Sequence, residues 1–198
     1  MFITFEGIDG SGKSTQAALL AKSLEELGYP VLLTREPGGT RAAEGIRELL
    51  LHSGEDLAPM TEVFLFCAAR NEHLEKIILP ALEKGIIVIS DRYYDSTTAY
   101  QGGGRELGLQ AMMEASRSFR IPDRTYFIDT SLPAIAKRLA GMEKDRMEQE
   151  GEPFMKRVRE AYLILAQGDP ERFRTLEGDR KEKEIAREIL AMTLELLS

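Results

Sequence analysis

Five short apolar runs, each separated from the next by stretches of helical length, divide the chain. Phe2–Phe5, Val31–Leu33, Ile86–Ile89, Arg124–Ile128 and Phe173–Leu176 read as strands. The first is nearly continuous in apolar residues and Ile86–Ile89 wholly so, the pattern of central parallel strands covered on both faces. The intervening periodicity predicts a first helix to about Leu27, ended by Gly28. A second helix runs from Arg41 to Leu51, capped by Thr40, with Ile46, Leu49 and Leu50 turned inward. A long helical stretch covers Met60 to Lys84, bent at Pro80 and closed by Gly85. Tyr93–Tyr100 reads as a short helix or tight loop, and Gly102–Gly104 as a flexible break. Further helices are expected at Leu107–Phe119, after a cap at Thr130 or Ser131 with Pro133 in the first turn, at Phe154–Ala166 and at Lys181–Leu197. Residues 141–151 alternate in charge, have little to bury, and read as an exposed, mobile flap. Strands alternating with helices predict an α/β chain of three layers: a five-stranded parallel sheet with helices on both faces, and a small lid over about 138–152.

In such a sheet, active groups belong at the carboxyl ends of the strands. Asp9, Arg35, Asp91 and Asp129 all fall at or just beyond those ends. The segment Gly7-Ile8-Asp9-Gly10-Ser11-Gly12-Lys13-Ser14 matches G-x-x-x-x-G-K-[ST] between a strand and a helix. Its glycines let backbone N–H groups crowd round phosphate oxygens, and the following helix N-terminus adds a partial positive end. Lys13 suits the β/γ-phosphates of a nucleoside triphosphate, and the Ser14 hydroxyl suits Mg²⁺. This makes the expected architecture a P-loop NTPase fold. Asp91, after the most apolar strand, suits the carboxylate that holds Mg²⁺ opposite Ser14; a strand-terminal cap is the alternative. Arg35 and Arg92 leave strand ends as guanidinium forks suited to a phosphate monoester. Phe66 and Arg70 lie one helical turn apart on one face, where ring and guanidinium would stack on a base and bond to its edge. A plain core aromatic remains the other reading of Phe66. His52 and His73 sit in surface-like polar settings, and transfer to an ionised phosphate needs charge neutralisation and alignment rather than a general base.

Composition narrows the class. A chain of 198 residues, 43% hydrophobic and 30% charged, suits one soluble globular core. Its formal charge of −7 argues against a nucleic-acid surface, so positive charge must be concentrated locally. Apolar runs are far below membrane-span length, and the chain enters a strand at once rather than a signal peptide. The single cysteine, Cys67, excludes an internal disulfide, reads as buried filler, and makes a cytoplasmic setting the default.

Beyond the phosphate loop, several segments resemble thymidylate kinases of the nucleoside-monophosphate kinase superfamily, the bacterial form in particular. They are Phe5-Glu6-Gly7-Ile8-Asp9-Gly10, Thr34-Arg35-Glu36-Pro37-Gly38-Gly39, Ala68-Ala69-Arg70, Asp91-Arg92-Tyr93, Ser96-Thr97-Thr98-Ala99-Tyr100-Gln101-Gly102-Gly103, and Asp145-Arg146 with Glu148-Gln149-Glu150. The resemblance implies ATP on the loop from Gly7 to Thr15, Mg²⁺ near Ser14 and Asp91, and direct in-line transfer to dTMP. It implies that Arg35 and Arg92 hold the acceptor phosphate, and that Asp9 contacts the 3′-hydroxyl or organises phosphate and metal. Thymine would stack on Phe66 with Arg70 and Thr97 or Gln101 at its edge, and Tyr100 would lie where a 2′-hydroxyl would clash. Gly10 and Ser11 leave the phosphate loop without an arginine, so the resemblance places the transfer-state charge on the lid, with Arg138 and Arg146 as candidates and Lys144 behind them. Arg180 would lie near the adenine. A homodimer built by helix packing is also implied; the apolar positions of the helix around Val63–Ile78 offer it a face or are spent on the sheet, two readings that stay open on the sequence.

Three other readings remain open on the sequence. Another P-loop kinase would act on a nucleoside or a different monophosphate, but a nucleoside acceptor leaves Arg35 and Arg92 poorly explained. A guanine-specific switch would carry Asn-Lys-x-Asp after a late strand, and the chain has none. A partner-binding protein that kept only the fold does not account for the presence of Lys13, Asp91 and the arginines.

Overall fold

The computed structural model describes every residue except 53, 55, 142–145 and 198, and not the side chain of Glu148. Five strands, β1 (Phe2–Glu6), β2 (Val31–Arg35), β3 (Ile87–Asp91), β4 (Arg124–Asp129) and β5 (Phe173–Glu177), form one sheet in the order β2-β3-β1-β4-β5. Every pairing is parallel. All five residues of β1 are buried, whereas the edge strands β2 and β5 are only partly covered. Continuous apolar runs therefore sit centrally and mixed ones at the rim, as coverage on both faces demands.

Side chains alternate across the sheet, which sorts the core into layers. Ile3, Phe5, Ile89 and Ile128 pack on one face against Leu20 and Leu24 of α1 (Lys13–Glu26) and Ile185 and Ile189 of α9 (Glu182–Leu197). On the other face Phe2 and Val88 meet Leu74 and Ile78, and Phe127 meets Val158 and Tyr162 of α8 (Glu152–Gly168). Helix α1 ends as expected: Gly28 has φ +87°, its N–H reaches Glu25 O at 2.9 Å and Tyr29 N–H reaches Leu24 O at 3.0 Å. Thr40 caps α2 (Arg41–Leu51), its hydroxyl oxygen accepting from Ala43 N–H at 3.1 Å. Leu50 is buried, but Leu49 is 38% exposed, so only part of the expected apolar face of α2 is used.

The long middle helix is three pieces. The helix α3 (Pro59–His73) passes into a π-helical stretch, Leu74–Ile78, and then α4 (Leu79–Glu83). Pro80 has no N–H to give and its ring crowds the preceding turn, which accounts for the widened stretch just before it. After β3, α5 (Tyr94–Thr97) runs into a second π-helical stretch, Thr98–Gly104. The glycines at its end do not form the flexible break expected from sequence. Gly103 and Gly104 are packed against α8: a Cβ on Gly104 would lie 2.5 Å from the Phe154 ring, and one on Gly103 2.6 Å from Ala161 Cβ, while one on Gly102 would lie 3.1 Å from Met112 Cγ. Their role is close helix approach. The helices α6 (Leu109–Ala115) and α7 (Leu132–Arg138) complete the set.

Candidate active site

The phosphate loop occupies the carboxyl end of β1. Gly7 has φ +143°, and a Cβ there would stand 2.8 Å from Ile128 O on the neighbouring strand, so only glycine lets the chain turn this close to the sheet. Asp9 stands at the centre of a charged cluster. Its Oδ1 accepts from Lys13 Nζ at 3.0 Å and from Arg92 Nη2 at 2.8 Å, and its Oδ2 from the Tyr100 hydroxyl at 3.1 Å. Burial opposes the Asp9 charge, but Arg92 and Lys13 outweigh it and hold the carboxyl well below the usual carboxylate range. The anion that turns Arg92 inward in this structure is thus Asp9.

Arg92 is one of two described non-glycine residues in the left-handed region, with φ +72°. That conformation costs of order 1–2 kcal/mol and is held by surrounding bonds. Arg92 N–H reaches Phe5 O at 2.9 Å, Ser90 Oγ donates to Arg92 O at 2.7 Å, and Tyr93 N–H donates to Glu6 Oε1 at 2.8 Å. Beneath the guanidinium lies Glu6, fully buried, accepting from Ser96 Oγ at 2.6 Å and the Tyr162 hydroxyl at 2.8 Å. Both hydroxyls also face Arg92 Nη1, at 3.0 and 3.4 Å. Burial, then the charge of Asp95, pushes the Glu6 carboxyl from 4.5 up to about 7, against the pull of Arg92 and the two hydroxyls.

Beside this cluster opens a cavity at the carboxyl end of the sheet. Phe66, Arg70, Thr97, Tyr100 and Gln101, the residues that the family resemblance assigns to the acceptor, all line it together with Asp9 and Arg92. Arg70 is 2% exposed; Nε donates to Glu36 at 2.7 Å and Nη2 to Thr97 Oγ1 at 3.0 Å and Tyr93 O at 3.2 Å. Its Nη1 is buried without a partner, a donor that a ligand atom would satisfy. The Gln101 amide nitrogen donates to Glu62 at 3.1 Å.

Arg35 does not line this cavity. Its guanidinium is 57% exposed and donates twice to Glu44, facing an adjoining groove with Ser14 and Asp91. In that groove Asp91 Oδ1 is buried without a partner while Ser14 is exposed. A hydroxyl and a free carboxylate oxygen are hard oxygen donors, the set a magnesium ion takes when phosphates and water supply the rest. On the opposite side Ser11, Gly12, Thr15 and Arg180 border a third groove, with Arg180 paired to Glu188 at 2.6 Å.

The two lid arginines separate. Arg138 folds onto the phosphate loop, donating to the carbonyls of Gly10 at 3.1 Å, Ser11 at 2.9 Å and Gly178 at 2.8 Å. Arg146 instead donates to Leu50 O at 2.9 Å and Glu62 Oε1 at 2.7 Å, on α2 and α3. Lys144 lies outside the described residues, with 142, 143 and 145 of the expected flap; the described part of the flap includes Met147, which is buried in the cavity wall.

Some of the site was missed. His73 is not in a surface-like setting: it is fully buried, between Glu36 Oε1 at 3.1 Å and Thr34 Oγ1 at 2.8 Å. Phe66, Arg70 and His73 form one helical stripe, so the spacing that found the first two also pointed to the third. Arg47, which donates to Pro37 O at 3.0 Å and borders the cavity, shows no local signal in sequence.

Comparison with known proteins identifies the family. The family model described as thymidylate kinase matches residues 5–189. The chain belongs to the thymidylate kinase family. A thymidylate kinase of Mesoplasma florum is 44% identical over 201 residues, covering 98% of this chain and 95% of the relative. One of Pelotomaculum thermopropionicum is 43% identical, covering 99% and 94%. The crystal structure of the thymidylate kinase of Ehrlichia chaffeensis superposes with a TM-score of 0.80 at 36% identity, covering 98% of both chains. The five-stranded parallel sheet is thus that of the family, and the alignment leaves no large part of this chain outside it.

Proposed function

We propose that this chain phosphorylates dTMP to dTDP by direct in-line transfer from ATP in the presence of Mg²⁺, with dTMP in the cavity between Phe66 and Arg92. Family membership over nearly the whole chain supports the reaction. The observation that carries the acceptor assignment is the convergence, in one cavity, of an aromatic ring, a buried Arg70 with one unpaired N–H, and the Asp9–Arg92–Lys13 cluster.

Thymine would stack on Phe66 and receive the free Arg70 Nη1–H, with Thr97 and Gln101 completing the edge. The monophosphate would lie toward Arg92, which is already turned inward, and Arg35 would reach it from the end of β2 by leaving Glu44. Asp9 holds Lys13 and Arg92 in register, so that donor and acceptor phosphates meet between two fixed cations. The γ-phosphate would be cradled by N–H groups from Gly7 to Thr15, and Ser14 with Asp91 would hold the magnesium ion, whose charge offsets that of the phosphates. Arg138 lies closest to the loop and is the stronger candidate for meeting the transferred group; Arg146 serves the far wall. Tyr100, bonded to Asp9 and Arg92, would bar a 2′-hydroxyl. Arg180 would border the adenine.

The test is steady-state kinetics of Arg70→Met. The expected result is a rise in KM for dTMP of about tenfold or more, the loss of one charged hydrogen bond, with KM for ATP nearly unchanged. Equal changes in both KM values would contradict the assignment.

We also propose a homodimer formed through α3, where Met60 and Phe64, one turn apart, are 42% and 66% exposed. No described helix is long and apolar enough to cross a membrane, and a cytoplasmic enzyme is the proposed setting.

A further inference from the structure

Glu62 stands in the first turn of α3, fully buried, and phosphoryl transfer makes no use of it. Its carboxylate accepts from three side chains. Gln101 Nε2 donates to Oε2 at 3.1 Å; Arg105 donates to Oε1 at 3.0 Å and Oε2 at 3.3 Å; Arg146 Nη1 donates to Oε1 at 2.7 Å. Arg105 also pairs with Glu150. Two guanidiniums thus face two carboxylates, and the buried charge is balanced. Burying this group is costly unless it is fully bonded, and one of its bonds goes to a residue lining the acceptor cavity.

A carboxylate salt-bridged to two guanidiniums only accepts hydrogen bonds. It therefore takes the NH₂ end of the Gln101 amide and rejects the oxygen end. An amide beside no such group turns over freely to suit its ligand. Held by Glu62, Gln101 keeps one of its two N–H donors on the carboxylate and turns its oxygen away from Glu62 as the acceptor, while Arg70 Nη1 supplies a donor in the same cavity. One acceptor and one donor match a pyrimidine with N3–H and O4. Cytosine presents the reverse, an unprotonated N3 and an N4 amino group, and mismatches both.

We propose that Glu62 is a positioning residue for base selection: it fixes the Gln101 amide so that its oxygen meets a pyrimidine N3–H, and so discriminates against cytosine monophosphates. This rests on the assignment of the cavity to the dTMP base. The bonds from Arg105 and Arg146 hold the Glu62 carboxylate still, which makes the setting rigid. A glutamine at position 62 has its own donor and acceptor, and accommodates either orientation of Gln101.

The test measures kcat/KM for dTMP and dCMP in the wild type, Glu62→Gln, Gln101→Leu and Arg146→Met. Glu62→Gln is expected to lower the dTMP-to-dCMP ratio by about tenfold or more, chiefly through KM for dTMP, with KM for ATP unchanged. Arg146→Met keeps the Glu62–Gln101 bond and is expected to keep the ratio. Glu62→Gln leaves two buried guanidiniums opposite one carboxylate; if it does not fold, Glu62→Gln/Arg146→Met restores the balance and is measured in its place. A merely structural role would slow both substrates together and leave the ratio alone. An unchanged ratio in the folded variant, with the ratio collapsed in Gln101→Leu, overturns the proposal. An unchanged ratio in Gln101→Leu as well overturns the base-site reading beneath it.

Discussion

Glu6 and Asp9, three residues apart, are driven in opposite directions by their surroundings. Asp9 is 27% exposed as a side chain and has Lys13 and Arg92 as direct partners, so its charge is favoured. Glu6 is fully buried with hydroxyls and one N–H as partners, and its carboxyl is pushed up to about 7. The consequence for stability has a definite sign. The unfolded chain releases the Glu6 proton near 4.5 while the folded chain keeps it to about 7. The wild type therefore loses stability, relative to Glu6→Gln, as pH rises through this window, and the difference levels off above it. Urea unfolding of both proteins from pH 5 to 8 checks this; a difference independent of pH would contradict it. Neither shift was legible in the sequence, because burial and the partners Ser96 and Tyr162 come from elements 90 and 156 residues away.

At the scale of elements, α3 has two working sides. Glu62, Phe66, Arg70 and His73 lie along one inward stripe that meets Gln101, the cavity and the loop after β2, whereas Met60 and Phe64 face solvent. The helical character of the stretch and the Phe66–Arg70 pairing follow from local spacing and were readable. The same spacing placed His73 on that stripe, but the partners that satisfy buried Glu62 and His73, namely Gln101, Arg105, Arg146 and Glu36, were not readable, since they are brought in by tertiary packing. Gly102–Gly104 shows the same limit in reverse: three glycines read as looseness, and only the packing of α6 on Gly102 and of α8 on Gly103 and Gly104 reveals that the absent side chains make room. The outward face gives a prediction of its own. Light scattering of the purified chain should report twice the chain mass, and Phe64→Glu, placing a charge on that face, should shift it to one chain mass at micromolar concentration. A wild type of single mass, or a variant that remains dimeric, would remove α3 as the interface.

At the scale of the molecule, parallel strands separated by helices are what bring the parts of the site together. β1 and β3 are neighbours in the sheet, with Phe5 in register with Asp91, so the phosphate loop and the Asp91–Arg92 turn emerge side by side although they are over 80 residues apart in sequence. Arg35 is in register with Asp91 on the other side. Strand-end placement made these residues readable as a convergent set. It did not say that Arg35 would be held by Glu44, or that Arg146 would be tied to Glu62 while Arg138 clasps the phosphate loop. Those choices depend on side-chain partners that strand order leaves open.

The central claim, a monophosphate acceptor with a thymine base, is tested most directly by ADP formation from Mg·ATP with a panel of nucleoside monophosphates, thymidylate and deoxyuridylate included, and thymidine alone as control. The account predicts the highest kcat/KM with dTMP, matched by equal formation of dTDP, and no turnover of thymidine. Phosphorylation of thymidine with no monophosphate accepted would contradict it, and with it the roles of Arg35 and Arg92.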